Sequence, residues 1–177
     1  AAEDAGNKRG FVFWPEKGDE VIVGFLNDDP NFPIILGSLY SKKNVPVFKP
    51  DPKNPEKGII TKSDIRIVFN DKDKQVQIKT PGGNSIALDD KKKSILLKDQ
   101  NNHIVKLDKK GITLVSKGDI TLNATKNVNI KGKGKILIDG MNVTAKAKTK
   151  FMAQGSAGVD LKSSGIATVK GSIVKIN

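Results

Sequence analysis

From Ile120 to Ile176 apolar residues arrive in pairs two apart: Ile120/Leu122, Val128/Ile130, Ile136/Ile138, Val143/Ala145, Phe151/Ala153, Val159/Leu161, Ala167/Val169 and Val174/Ile176. The step starts near ten upstream and settles close to eight, with one step short by a residue at Val143 and recovered at Phe151. Two alternate apolar positions make one side of a short extended strand, and so short a strand cannot bury that side against its own sequence neighbours. A fixed period therefore specifies a repeat architecture, and its length selects which one.

Hexapeptide and nonapeptide β-helices have the wrong step, and no Gly-Gly-x-Gly-x-Asp calcium loop occurs. An antiparallel meander would call for Asn-Gly or Asp-Gly at its reversals. Asp139-Gly140 is the only Asp-Gly and Asn-Gly is absent. Single glycines at 111, 118, 132, 134, 140, 155, 158, 165 and 171 read as bends that turn the chain to a new face. If each octad turns about a third of a circle, three chains winding together fill every level and their apolar edges meet on one axis. The axis would be lined by Ile112, Leu114, Ile120, Leu122, Val128, Ile130, Ile136, Ile138, Val143, Phe151, Val159 and Leu161. The missing partner is then two more copies of the chain.

Upstream, residues 11 to 40 predict strands at Phe11 to Trp14, Glu20 to Leu26 and Ile34 to Tyr40, separated by PEKGD and NDDPNFP turns. These suit part of a small β-barrel. Prolines at 46, 50, 52 and 55 make residues 42 to 58 an extended connector and the domain boundary. From Ile59 onward nothing has a helical period. Strands are expected at Asp64 to Phe69, Gln75 to Lys79, Ser85 to Leu88, Ser94 to Leu97, His103 to Leu107 and Ile112 to Val115 before the octads begin.

Composition narrows the function classes. With no cysteine there are neither disulfides nor thiolate metal sites. No apolar run reaches about 18 residues, and no signal-like segment opens the chain. The formal charge of +12 raises a nucleic-acid reading. The cations are almost all lysine, however, with only Arg9 and Arg66 as arginines, and they alternate with apolar positions instead of forming a patch. That pattern reads as a solvated face that also keeps strand edges from pairing with strangers.

Three pieces carry a family resemblance: PEKGDEVIVGF at 15 to 25, DDPNFPIILG at 28 to 37, and TPGGNSIALDD at 80 to 90 ahead of the octads. Together they resemble the VgrG proteins of type VI secretion systems and the related baseplate spikes of contractile phage tails and extracellular contractile injection particles. The resemblance covers essentially the whole chain and lacks only the large N-terminal part of full-length VgrG proteins, which marks a fragment or a processed form.

It implies an all-β molecule: a partial OB-fold at 1–41, the connector at 42–58, and an intertwined trimeric triple-stranded β-helix, or β-prism, at 59–177. Within the OB part it implies that Gly18 and Asp19 form a tight turn, Val21, Val23 and Phe25 pack the barrel interior, Pro30 and Pro33 shape the loop before the last strand, and Gly37 belongs to that strand.

In this family the spike pierces membranes at the head of a contractile machine, assembled in the bacterial cytoplasm and then delivered outside the cell. Its implied partners are a PAAR-repeat tip protein on a platform of Val174, Ile176 and Asn177, Hcp-like tube and baseplate proteins at the N-terminal end, effectors, and transiently the target membrane. Strands about 4.7 to 4.9 Å apart would stack a dozen levels into a needle of at least about 50 Å.

Catalysis finds little support. His103, the single histidine, reads as a surface or loop residue, and Ser63, Asp64, Asp89 and Asp90 read as turn chemistry beside lysines. No cofactor or metal is expected, since the tip metal sites of some phage relatives need closely spaced histidines. No effector extension is expected after SIVKIN. Two other classes stay open: a fibre or adhesin shaft, which glycan or host-cell binding would support, and a nucleic-acid-binding OB module. The latter needs an exposed aromatic stacking surface, which the OB strands are not expected to offer.

Overall fold

The computed structural model describes residues 4–176 in two units, one running through Thr121 and one from Leu122. It is all-β apart from one 3-10 turn. The first unit opens with a small hairpin, β1 (Ala5–Gly6) against β2 (Arg9–Gly10). A second hairpin joins β3 (Glu20–Phe25) to β4 (Pro33–Leu39) through the 3-10 turn Leu26–Asp28, where Asn27 and Asp28 adopt left-handed backbone.

Its register slips between Ile22 and Val23, so Leu36 bulges out between the paired Ile35 and Gly37. The strand expected at Phe11 to Trp14 is not formed. Nothing pairs with it beyond the Phe11 N–H, which donates to the Asp4 carbonyl at 2.9 Å, and Trp14 is 83% exposed. Pro33 opens β4 instead of lying in the loop before it, a position where a missing N–H is tolerated.

The connector ends earlier than its composition suggests. Glu56, Lys57 and Gly58 already belong to β5 (Glu56–Ile60), the outermost strand of a seven-stranded antiparallel sheet. The sheet continues as β6 (Arg66–Asn70), β7 (Gln75–Lys79), β8 (Ser85–Asp89), β9 (Ser94–Lys98), β10 (Ile104–Asp108) and β11 (Gly111–Val115), each paired with the next. Apart from β5, the strands were legible to within a residue or two, but their pairing is an up-and-down meander.

The reversals dispense with Asn-Gly and Asp-Gly by putting other residues into left-handed backbone: Asp64, Lys74, Lys93 and Asn102, with Gly83 and Gly111. Gly111 therefore stands at a reversal, after the two-residue loop Lys109-Lys110, and not at a bend.

The meander has its own repeat, nineteen residues long. Thr61, Thr80 and Asp99 start equivalent five-residue loops: each donates its N–H to the carbonyl of the fourth residue on, and each accepts from the third. At the opposite end Asn70, Asp89 and Asp108, again nineteen apart, each use a side-chain oxygen to hold the N–H of Asp73, Lys92 or Lys110 at 2.7–2.9 Å. These side-chain-to-backbone bonds stabilise the turns locally.

The second unit has a different character. Its described residues contain no assigned strand, only extended chain with bends at 125–126, 133–134, 141, 148–149, 156–157, 164–165 and 172–173. The eight-residue step is thus a physical period, with a glycine in or beside most of the bends and the short step falling between 141 and 148.

Candidate functional site

Antiparallel register aligns side chains into ladders, because residues opposite one another share a face. One ladder runs Ile59, Ile67, Ile78, Ile86, Leu97, Val105, Leu114; a second on the same face runs Phe69, Val76, Leu88, Ile95, Leu107, Ile112. All thirteen are apolar. The other face is mixed but mainly polar, with Arg66, Asn70, Gln75, Gln77, Lys79, Ser85, Asp89, Ser94, Lys98, Lys106 and Asp108 beside Val68, Ala87, Leu96, Ile104 and Val115.

Among the described residues of the first unit no layer covers the apolar face, and no hydrophobic side chain is buried anywhere among the described residues. Exposure is greatest on the edge strand β11, at 56% for Leu114 and 73% for Ile112. Fully burying one such side chain from water is worth about 1.5–3 kcal/mol, so completing the burial of thirteen partly exposed ones is worth on the order of 10 kcal/mol, comparable with the 5–15 kcal/mol by which a domain is usually stable.

Near one end of this face a groove of about 460 Å³ is lined by Ile86, Leu97, Val105, Leu114 and Ile120, with His103 and Ser116 among its lining residues. The His103 Nδ1 accepts the N–H of Lys117 at 3.0 Å and lies 3.0 Å from the Ser116 Oγ. The ring therefore ties a meander loop to the chain leaving β11, and its Nδ1 is engaged in that tie.

On the polar face Asp89 is the one residue that is buried, at 6% exposure. The Lys92 N–H at 2.7 Å is the main influence holding its carboxyl below the usual carboxylate range. Burial pushes the other way, and the Gln75 amide, also at 2.7 Å, helps to lower it. The Lys106 ammonium, 2.7 Å from Asp108, lowers that carboxyl likewise. These carboxylates hold turns together.

The residues expected on a shared axis lie in two settings. Ile112 and Leu114 sit on the apolar face of β11; Ile120 follows it, and Leu122, Val128, Ile130, Ile136, Ile138, Val143, Phe151, Val159 and Leu161 lie on the extended segments of the second unit, all exposed, Ile130 at 67%. Val174 and Ile176 are exposed in the last described segment, whereas Asn177 lies outside the described residues.

In the hairpin β3–β4, Val21 is half-buried and Val23 and Phe25 are exposed. Gly18 (φ +102) and Asp19 form a turn closed by the Asp19 N–H on the Glu16 carbonyl at 3.0 Å and the Glu16 N–H on the Asp19 carboxylate at 2.8 Å. Pro30 lies in the loop before β4, and Gly37 sits opposite Ile22.

Sequence reasoning missed the ladders from Ile59 to Leu107 as part of the same apolar surface. The signal was present in the two-residue alternation and the nineteen-residue recurrence of its strands.

The model of the type VI secretion system/phage-baseplate injector OB domain matches residues 1–40. The chain is 50% identical over 44 residues to the actin cross-linking toxin VgrG1 of Vibrio cholerae serotype O1, a match covering 25% of this chain and 4% of that protein. It is 48% identical over 54 residues to the type VI secretion system spike protein VgrG3 of the same species, covering 30% of this chain and 5% of that one. The matched stretches are thus a small fraction of both relatives. Over this shared stretch, the chain is similar to the VgrG and phage-baseplate spike proteins.

Proposed function

We propose that this chain forms part of a homotrimeric, membrane-piercing spike of a contractile injection machine, whose octads wind into a three-stranded β-helix. The observation that carries the reading is in the second unit. Among its described residues no backbone group pairs with another, although the chain is extended and bends every eight residues. Extended chain ordinarily pairs its backbone N–H and C=O groups with a neighbouring strand, and here water alone is left to satisfy them beside exposed apolar side chains. Strands from two further copies would satisfy them and cover the octad side chains in one step. The uncovered face of the meander supports the same requirement.

The function follows from the mechanics of such a body. Backbone hydrogen bonds running along a shaft leave edges only at its two ends. Opening one chain must also disrupt the others, which gives high kinetic stability. Penetration needs stiffness more than chemistry, so the role is structural and not enzymatic. The axis is formed by the residues from Ile112 to Leu161 named above. Val174, Ile176 and Asn177 form a platform for a PAAR-type tip protein, with Hcp-like tube and baseplate proteins at the opposite end and effectors carried along. Assembly is cytoplasmic and delivery is outward, into a target cell.

The test is the solution mass of the chain by light scattering, before and after exposure to SDS. Three times the 19.1 kDa of one chain, persisting in SDS, is expected, and a monomer overturns the reading. The tip assignment is tested separately. An excess of cognate PAAR protein should bind the intact trimer and lose affinity with Ile176→Asp.

A further inference from the structure

The charge of the second unit is unevenly placed. Lys126, Lys131, Lys133, Lys135, Lys146, Lys148 and Lys150 face a single acid, Asp139, so about half of the chain's formal +12 falls within residues 126–150. These lysines gather at the bends: Lys126, Lys133 and Lys148 lie in the bends at 125–126, 133–134 and 148–149, and the other four flank two of them. The later bends, Ser156-Ala157, Ser164-Gly165 and Ser172-Ile173, contain none. All seven are exposed, and among the described residues none forms an ion pair, whereas five lysines of the first unit do.

We infer that this band of lysine corners binds the anionic phosphate layer of a phospholipid bilayer. Uncompensated cations at corners stay solvated and project from the chain, so they meet a flat anionic layer without rearrangement. Lysine suits many loosely oriented phosphates, since it acts as a point charge without a fixed fork. Nucleic acid is the poorer fit, because Phe151 is the only aromatic residue beyond Leu122 and no arginine lies there. This inference rests on the spike reading, in which three copies would turn the band into a cationic ring around the shaft.

The experiment uses the full chain and vesicles of phosphatidylcholine, either pure or with about a third phosphatidylglycerol, read by flotation at about 50 and 500 mM salt. Binding to the anionic vesicles should exceed binding to the neutral ones by about a hundredfold at low salt and collapse at high salt. Replacing Lys131, Lys133, Lys135, Lys146, Lys148 and Lys150 with Gln should abolish the difference, and replacing the same six with Arg should preserve it. Replacing Lys42, Lys43, Lys49, Lys53, Lys72 and Lys74 with Gln, an equal change in charge, should leave most of it.

Equal losses from both Gln sets, no preference for anionic lipid, or tighter binding to an oligonucleotide than to the vesicles overturns the inference. Solution mass, measured on every variant, reports the trimer independently. A trimer that ignores anionic vesicles defeats this inference alone, and a monomer that binds them defeats the spike reading alone.

Discussion

The two units solve the backbone problem in opposite ways. Residues 56–115 pair every strand with its neighbour in sequence, so the hydrogen bonds between strands close within one chain, and the apolar face and the outer edges of β5 and β11 are left open. Residues 122–176 leave both the apolar side chains and the backbone open. The first region needs a cover; the second needs strands. A single chain can therefore hold a recognisable meander at local cost, while on the proposed spike reading the octads gain structure only in company, and perturbations of the two regions should then differ in kind.

The largest effect is expected from Ile130→Asp. On a shared axis it sets three carboxylates together in an apolar interior, where an unpaired charge costs several kcal/mol or more. Light scattering should then report monomer, while strand content contributed by the meander survives in circular dichroism. Loss of both signals together would show that the two regions fold as one and erase the distinction.

Gly58→Val should act more locally. A Cβ there would stand 2.4 Å from the Ile67 carbonyl oxygen, within the β5–β6 pair. Crowding of this kind costs about 1–3 kcal/mol, and β5 is an edge strand. Hydrogen exchange should accelerate in residues 56–60 with the trimer mass unchanged.

The smallest effect is a pH dependence at Asp89. Its carboxyl sits below the ordinary value in the folded chain. It therefore stabilises the fold at pH values above the unfolded carboxylate's value of about 3.9, and that contribution is lost as the pH falls through the lower folded value. Asp89→Asn should be less stable than the parent at neutral pH, with the gap in denaturation midpoint narrowing below about pH 4. A gap that stays constant with pH would mean that Asp89 acts through packing alone.

The same contrast explains what could be read beforehand. The octads were legible because their apolar pairs and glycines keep one step, and the bends of the second unit follow that step. The meander strands were legible from alternation, but not their antiparallel order. Lys74, Lys93, Asn102 and Asp64 hold left-handed turns that glycine would ordinarily mark. The Phe11 to Trp14 stretch has the apolar and aromatic character of a strand, yet a strand exists only where a partner offers its edge, and residue types do not reveal that partner. The same limit applied to the ladders, since cross-strand neighbours are set by register and only two of the thirteen residues had been expected on an assembly surface.

The nineteen-residue recurrence has a consequence for length. Because Lys79 and Lys98 occupy equivalent strand ends, as do Ser85 and Ile104, excising residues 80–98 would join β7 to the loop that leads into β10 with face and direction preserved. The meander therefore behaves as a graduated ruler. Whole divisions can be added or removed with the apolar ladders kept in line.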